Sequence, residues 1–158
     1  MVPRLSGRHT HERICGAACF IDHHSGYSFL SLQTSLDGKQ TLAAKEAYES
    51  HADTCRVKVS SYRADNGRFA EKSFCEAVKM AQQTIDFCAV GAHHQNGIIE
   101  RHLQSLTTKA RTILLHAKRH WPSMIAVVLW PFVFKYAELL RNHLHLDKNG
   151  LSPVQKKL

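Results

Sequence analysis

The sequence predicts an α/β fold with a mixed sheet. Short runs rich in apolar and aromatic residues favour strands, longer segments repeat apolar residues at the helical period of about 3.6 residues, and turn-forming residues separate the two. The predicted order is β-β-α-β-α-β-α-α. With 158 residues, of which 44% are hydrophobic, the chain has the size of one domain with a single core.

The first six elements are short and separated by turn residues such as those of "ADNGRF" (64–69). The runs "ACFID" and "GYSFLSL" lie on either side of "HHS" and predict a β-hairpin. Strands are predicted at 18–22, 26–32, 57–62 and 84–90, and helices at 39–54 and 70–82.

The last two helices are predicted over 97–117 and 123–146, with a break at "RHWP" because proline disfavours helix in the residue before it. The run "MIAVVLWPFVF" (124–134) is far shorter than the roughly 20 residues of a membrane span. It is interpreted as a core helix, and no membrane partner is expected. Trp121 and Trp130, each next to a proline, are also expected in the core, with a role as base-stacking platforms as the less favoured alternative.

Positive charge is concentrated in the last third of the chain. Residues 1–100 contain 11 Lys or Arg and 11 Asp or Glu, whereas residues 101–158 contain 10 and 2, so this segment carries the formal net charge of +8. Clustered cations indicate a polyanion partner, because they release counterions from phosphates. A helical surface that its charges keep soluble is an equal alternative at this point.

The five cysteines indicate a reducing compartment. They are odd in number and scattered, and no secretory signal precedes them, so secretion is not expected. A zinc site formed by His9, His11, Cys15 and Cys19 is disfavoured, because Cys-x₃-Cys running into a strand suits tetrahedral coordination poorly.

Glu100 lies in the first turn of the predicted helix 97–117, beside its apolar stripe. Steps of four, seven and eleven residues place Gln104, Thr107 and Arg111 on the same polar strip, which is suited to follow a bound polymer. The simpler alternative is structural, because a glutamate in the first turn of a helix complements its dipole.

Asp65 is a second candidate acid. It follows the strand predicted over 57–62 and precedes Asn66 and Gly67, so it is expected at the carboxyl end of that strand, where open α/β sheets commonly carry their sites. Carboxylates that hold two Mg²⁺ ions about 3.5 to 4 Å apart serve phosphodiester chemistry. Asp65 and Glu100 are therefore candidate metal ligands. The alternative for Asp65 is a turn that only ends the strand.

Several segments together resemble the integrase catalytic core of copia-type LTR retrotransposons, a retroviral-type family with an Asp-Asn-Gly motif followed by Gln-Asn-Gly and Glu-Arg. The segments are "CFIDHHSGYSFLSLQTSL", "ADNGRFAEKSF", "HHQNGIIERHLQSLTTKARTILLHA", "RHWP" and "LLRNHLHLDKNGLSP". The resemblance divides the chain into a polar segment at 1–13, a core at 14–146 and a tail at 147–158.

The resemblance implies an RNase H-like fold and metal-dependent joining of element DNA ends to target DNA. Asp65 and Glu100 would be the second and third acids of a D-D-E triad and would bind Mg²⁺ or Mn²⁺. Gln104 and Thr107 would contact DNA, while Asn96 would shape the loop before their helix. Gly97 would share that role. By charge alone, further candidate phosphate contacts are Lys109, Arg111, Lys118 and Arg119.

The first acid departs from the family pattern. Asp22 lies ahead of Asp65, but in the family this segment is the second strand and its turn, whereas the first catalytic aspartate belongs to the preceding central strand. We therefore expect that the chain lacks this acid and its strand, with Asp22 as a less favoured replacement. Loss of one ligand should abolish two-metal catalysis, and loss of a central strand leaves strand edges unpaired.

The sequence thus predicts a retrotransposon integrase-core fragment that binds DNA but does not join it alone. The resemblance implies a homo-oligomer in the nucleus or in a cytoplasmic particle of a retroelement. The alternative is a non-catalytic DNA-binding or dimerisation module that uses the basic helices after Glu100. Metal-dependent activity would separate the two.

Overall fold

A computed structural model describes residues 14–88 and 97–157. The predicted α/β order is confirmed, with one additional short helix at the end. Short 3₁₀ turns at Arg68–Ala70 and Val127–Leu129 precede the second and fourth helices. The strands and helices are β1 (Gly16–Ile21), β2 (Ser28–Gln33), α1 (Gly38–Thr54), β3 (Ser61–Ala64), α2 (Lys72–Met80), β4 (Thr84–Phe87), α3 (Gly97–His120), α4 (Trp130–Leu144) and α5 (Pro153–Lys157).

The strands form one antiparallel and one parallel pair. β1 and β2 are the predicted hairpin, with Phe20 opposite Phe29. β3 and β4 run parallel, with Tyr62 opposite Ile85, and α2 forms the crossover between them. Within the described residues these pairs are two separate two-stranded sheets.

The two sheets nevertheless share one hydrophobic core. The Phe20 ring on β1 stacks on Tyr48 of α1 at 4.8 Å between ring centroids and meets Tyr62 of β3 edge-on at 6.2 Å. The Tyr62 hydroxyl donates a hydrogen bond of 2.7 Å to Glu49 on α1. The buried members of this core are Ala18, Phe20, Ala44, Tyr48, Tyr62, Phe74 and Val78.

Side chains of α4 cover the outer edge of β2. The Asn142 amide accepts hydrogen bonds from the Ser28 backbone N–H (3.0 Å) and hydroxyl (3.1 Å), and it donates one to the Ser28 carbonyl (2.8 Å). The carboxylate of Glu138, one helical turn earlier, is close enough to the backbone N–H of Leu30 for this N–H to favour its charged form. Because Ser28 and Leu30 are alternate residues, these are the backbone groups that face away from β1.

The edge of β1 that faces away from β2 and the edge of β3 that faces away from β4, here called the inner edges, have no such cover. The hairpin register directs the backbone groups of Ala17, Cys19 and Ile21 away from β2. On β3, the carbonyl groups of Ser60 and Ala64 accept hydrogen bonds from the β4 side, so the backbone groups of Ser61 and Arg63, at the alternate positions, point away from β4. No third strand pairs with either edge in the part of the chain that the structure describes.

Helices α3 and α4 pack against each other through small and aliphatic side chains. Leu106 and Ala110 of α3 meet Ala137 of α4 in a second buried cluster. His102 lies on the same inner face of α3 and is 4% exposed. Burial, with Arg141 nearby, lowers the pKa of His102 to about 4, so this histidine is neutral at physiological pH.

The prediction of a core helix over residues 124–134 is wrong for residues 124–129 and is confirmed for residues 130–134. Helix α4 begins only at Trp130, because Pro131 occupies its first turn, where the missing N–H leaves no hydrogen bond unmade. The preceding apolar residues form turns at the surface, with Met124 75% and Val127 51% exposed. Trp121 is 57% exposed, so its predicted core position is wrong as well. Among the described residues, no helix is long and apolar enough to cross a membrane.

Two further differences from the prediction concern β3 and the tail. The strand predicted at 57–62 is observed at 61–64, because β4 pairs only from Ser61 onward. The predicted tail includes α5, which contacts α4 and places the Lys157 ammonium 4.0 Å from the centroid of the Tyr27 ring. Residues 153–157 thus pack on the rest of the domain.

The substitution Asn142→Ala should lower the free energy of unfolding by about 2 to 3 kcal/mol, because it leaves the buried N–H and carbonyl of Ser28 without partners. His143→Ala, at the next and exposed position, is the matched control and should change stability by less than about 0.5 kcal/mol. Urea unfolding followed by circular dichroism measures both. Equal stability of the two variants would contradict the edge-covering role of Asn142.

Candidate nucleic-acid interface and metal site

Asp65 lies where the sequence placed it, directly after β3 and exposed to solvent. Its Oδ1 accepts a hydrogen bond of 3.2 Å from the Gly67 N–H, and the Asn66 amide donates one of 2.9 Å to the Cys88 carbonyl after β4. The Asp-Asn-Gly turn therefore joins the carboxyl ends of both parallel strands. This is the sheet edge at which α/β proteins usually carry ligands.

Glu100 is exposed in the first turn of α3, as predicted. Gly97 is the first residue of this helix, and Asn96, the other residue predicted to shape the preceding loop, lies outside the described residues. The segment that connects β4 to α3 also lies outside them.

Asp22 is located in the turn between β1 and β2. Its Oδ2 accepts hydrogen bonds from the backbone N–H (2.8 Å) and the hydroxyl of Ser25. Partial burial alone would raise the pKa of Asp22, but the bonds from Ser25 outweigh burial and hold the pKa below its usual value. Its carboxylate thus stabilises the hairpin turn.

The predicted metal ligands have the right chemistry but are too few. Asp65 and Glu100 are exposed carboxylates, the donor type that Mg²⁺ and Mn²⁺ prefer. Within residues 14–88 and 97–157, no three His, Cys, Asp or Glu side chains converge as a metal site would require. Asp22, Asp65 and Glu100 therefore do not form a three-ligand group among the described residues.

Helix α3 presents a long polar face to solvent, opposite the face that packs on α4. An open groove of about 570 Å³ runs along it. Its lining residues from the described chain are Arg101, Gln104, Ser105, Thr108, Lys109, Thr112 and Ile113. This face combines two cations with hydroxyl and amide groups, the mixture that contacts phosphate and sugar in nucleic-acid complexes.

The predicted DNA contacts are mostly accessible on α3. The exposed side chains are those of Gln104, Arg111, Lys118 and Arg119, whereas Lys109 is half-buried. Thr107 is also half-buried, and its hydroxyl donates a hydrogen bond of 2.8 Å to the Leu103 carbonyl within the helix. Thr107 is therefore less available to a ligand than the other predicted residues.

Four residues of this face were not among the sequence candidates: Arg101, Ser105, Thr108 and Thr112. They lie next to the predicted strip of Glu100, Gln104, Thr107 and Arg111, rotated from it by about 100° around the helix axis, the angle of one residue. The signal was present in the sequence, because Arg101, Ser105, Thr108 and Thr112 recur at steps of four, three and four.

The sequence of this region carries positive charges only. No Asp or Glu occurs in the sequence between Glu100 and Glu138. Among the described residues, Lys118 and Arg119 form no salt bridge, and neither do Arg101, Lys109 and Arg111. These cations are therefore available to an anionic partner.

Comparison with known proteins places this geometry in a structural class. No protein-family model matches the chain, and no curated protein matches it in sequence. Solved structures do match, and they define an RNase H-like α/β fold, as the sequence predicted. More narrowly, the fold is that of retroviral integrase catalytic cores.

The HTLV-2 integrase catalytic core in complex with magnesium is similar in its trimeric form, with a TM-score of 0.70 and 17% identity over 90% of this chain and 84% of that chain. The dimeric form of the same core has a TM-score of 0.68 and 17% identity, over 90% of this chain and 83% of that chain. A third similar structure is a chain of the simian T-cell lymphotropic virus intasome in complex with the PP2A regulatory subunit B56 gamma. Its TM-score is 0.70 and its identity 15%, over 90% of this chain and 52% of that chain. At sequence identities of 15 to 17%, the structural similarity establishes the fold alone.

Proposed function

We propose that this chain is a DNA-binding core of the integrase class that does not join DNA by itself. The observation that carries the proposal is the exposed face of α3, where unpaired cations and hydroxyl groups follow one another along a helix that bears Glu100 in its first turn. The shared fold with retroviral integrase cores supports DNA as the ligand of this face.

The dimensions of α3 suit a nucleic-acid backbone. Arg101 and Arg119 are separated by eighteen residues, which is five helical turns, so they lie on the same face about 27 Å apart. At 3.4 Å per nucleotide along one strand, this distance corresponds to about eight nucleotides. The groove and its hydroxyl groups lie between the two cations.

For the metal-dependent chemistry, Asp65 and Glu100 are proposed as the second and third acids of a triad that would hold Mg²⁺ or Mn²⁺. A bound divalent ion would supply Lewis-acid activation of a phosphodiester. The open inner edges of β1 and β3 suit an additional strand that would carry the first acid. Without that acid the chain is expected to be inactive, and we assign it to the copia-type retroelements on the resemblance of its motifs.

Self-association is part of the same proposal. Phe132, Tyr136 and Leu139 lie at helical spacing on α4 and are each at least 50% exposed, which leaves an apolar stripe without cover in the single chain. The similar HTLV-2 cores were solved as dimeric and trimeric forms. We propose a homo-oligomer, in the nucleus or in a cytoplasmic retroelement particle.

The second candidate function is a DNA-binding or dimerisation module without catalysis. The engagement of Asp22 in its turn and the lack of a three-ligand group among the described residues favour it. It requires the same α3 face but assigns no chemical role to Asp65 or Glu100.

The chain should bind duplex DNA with an affinity that falls steeply with salt. The double variant Arg101→Gln/Arg119→Gln should reduce the slope of log affinity against log salt by about 2, because each lost phosphate contact removes about 0.9. Lys72→Gln/Lys79→Gln on α2 makes the same change in net charge and should leave the slope nearly unchanged. Fluorescence anisotropy across a salt series measures both. Equal effects of the two double variants would contradict a specific α3 interface.

Catalysis is tested by a strand-transfer and disintegration assay with Mn²⁺ on branched DNA. The chain alone should show no joining, and Asp65→Asn and Glu100→Gln should bind DNA as the unsubstituted chain does. Activity that is lost in both Asp22→Asn and Glu100→Gln would show instead that Asp22 completes the triad. The proposed inactivity of the isolated chain would then be wrong.

A further inference from the structure

Trp121 is an exposed aromatic residue that neither the fold nor the α3 groove uses. Its backbone N–H donates a hydrogen bond of 2.8 Å to the Ala117 carbonyl, which fixes it at the end of α3. Its indole ring is tilted against His120 at 5.8 Å between centroids, and His120 is tilted against His116 at 4.6 Å. His116, His120 and Trp121, here termed the ring ladder, are all exposed.

The ring ladder lies among cations. Lys118 and Arg119 belong to the same helical turn, are exposed and form no salt bridge in the described chain. Lys118 lies three residues before Trp121, so helical spacing places the two on the same side of the last turn of α3. A strand of DNA that contacts Arg119 and Lys118 would reach Trp121 at the carboxyl end of the helix.

A flat aromatic ring beside unpaired cations is suited to one kind of ligand. An unpaired base can stack on the ring while the cations contact its phosphates, and such stacking tolerates any base because every base has a π-face. A base inside a duplex is already stacked on its neighbours. The ligand class is therefore a single-stranded or frayed nucleotide.

We propose that Trp121 is a stacking platform for an unpaired base at the end of the DNA that lies along α3. The proposal rests on the proposed DNA-binding function and assigns one part of the ligand, an unpaired terminal nucleotide, to one residue. An anionic lipid surface is the competing ligand, because the exposed Met124 and Val127 follow Trp121 in the chain. The polar face of α3 favours DNA, because a bilayer surface makes no use of a line of hydroxyl groups.

The test uses the full chain with Trp130→Phe, which leaves Trp121 as its single tryptophan. Three DNA probes are compared: a blunt 20-bp duplex, the same duplex with a three-nucleotide 3′ overhang, and single-stranded oligo(dT). The overhang and oligo(dT) should quench Trp121 fluorescence, and the overhang should bind about tenfold more tightly than the blunt duplex. Trp121→Leu in the unsubstituted chain should abolish this gain, whereas Trp121→Phe should largely keep it.

Met124→Ala is the matched control, because it shortens a more exposed apolar side chain nearby, and it should leave the overhang preference unchanged. An equal overhang preference in Trp121→Leu and the unsubstituted chain would overturn the proposal. Quenching by brominated phosphatidylserine vesicles without quenching by oligo(dT) would also overturn it.

These outcomes are separable from failure of the proposed function. Binding of the blunt duplex tests the α3 interface, and its absence would count against the proposed function. Quenching of Trp121 by oligo(dT) would in that case still support the stacking platform.

Discussion

The hydrogen bonds between α4 and the outer edge of β2 organise this domain. Asn142 pairs with both backbone groups of Ser28 much as a neighbouring strand would, and the carboxylate of Glu138 is near the N–H of Leu30. Burial raises the pKa of Glu138, although the Lys135 ammonium is 3.5 Å away. A sheet edge that would otherwise recruit other strands is thereby covered by a helix.

The position of α4 in turn determines what α3 can offer to a ligand. Leu106 and Ala110 are committed to contact with Ala137, which sets the rotation of α3 about its axis. The opposite face, from Arg101 to Arg119, is consequently directed to solvent. The basic surface is thus a consequence of apolar packing on the other side of the same helix, and charge alone does not determine it.

The contrast between the edges of the two sheets bears on catalysis. The outer edge of β2 is covered, whereas β1 and β3 share a core through Phe20 and Tyr62 without pairing to each other in the described chain. Apolar side chains can hold two sheets together at this distance, but they leave inward-facing backbone groups unmatched. The same place is where the first acid of the proposed triad would enter.

Much of this fold follows from local sequence patterns. Turn residues and alternation locate the hairpin, and apolar periodicity locates α1 to within one residue and α3 at its first turn. The failures have physical causes. An apolar run does not reveal whether it meets a partner, so residues 124–129 were assigned to a core that does not include them. Trp121 was misplaced for the same reason.

Part of the candidate site could also be predicted from local sequence patterns. Asp65 could be located because a strand followed by Asn-Gly defines its own end. The rotation of α3 depends on long-range packing with α4, so the sequence identified the strip of Glu100 but not the adjacent face of Arg101. Whether Asp22 serves a turn or a metal depends on its hydrogen bonds with Ser25, which composition does not reveal.

Amide hydrogen exchange measured by NMR can show directly whether the outer edge of β2 is covered while the inner edges of β1 and β3 are open. The amides of Ala18, Phe20, Ser28 and Leu30 should be protected, because the first two face β2 and the last two face α4. The amides of Cys19 and Arg63 should exchange markedly faster. Equal protection of Cys19 and Ala18 would show that the inner edge of β1 is paired and would contradict an open edge at this place.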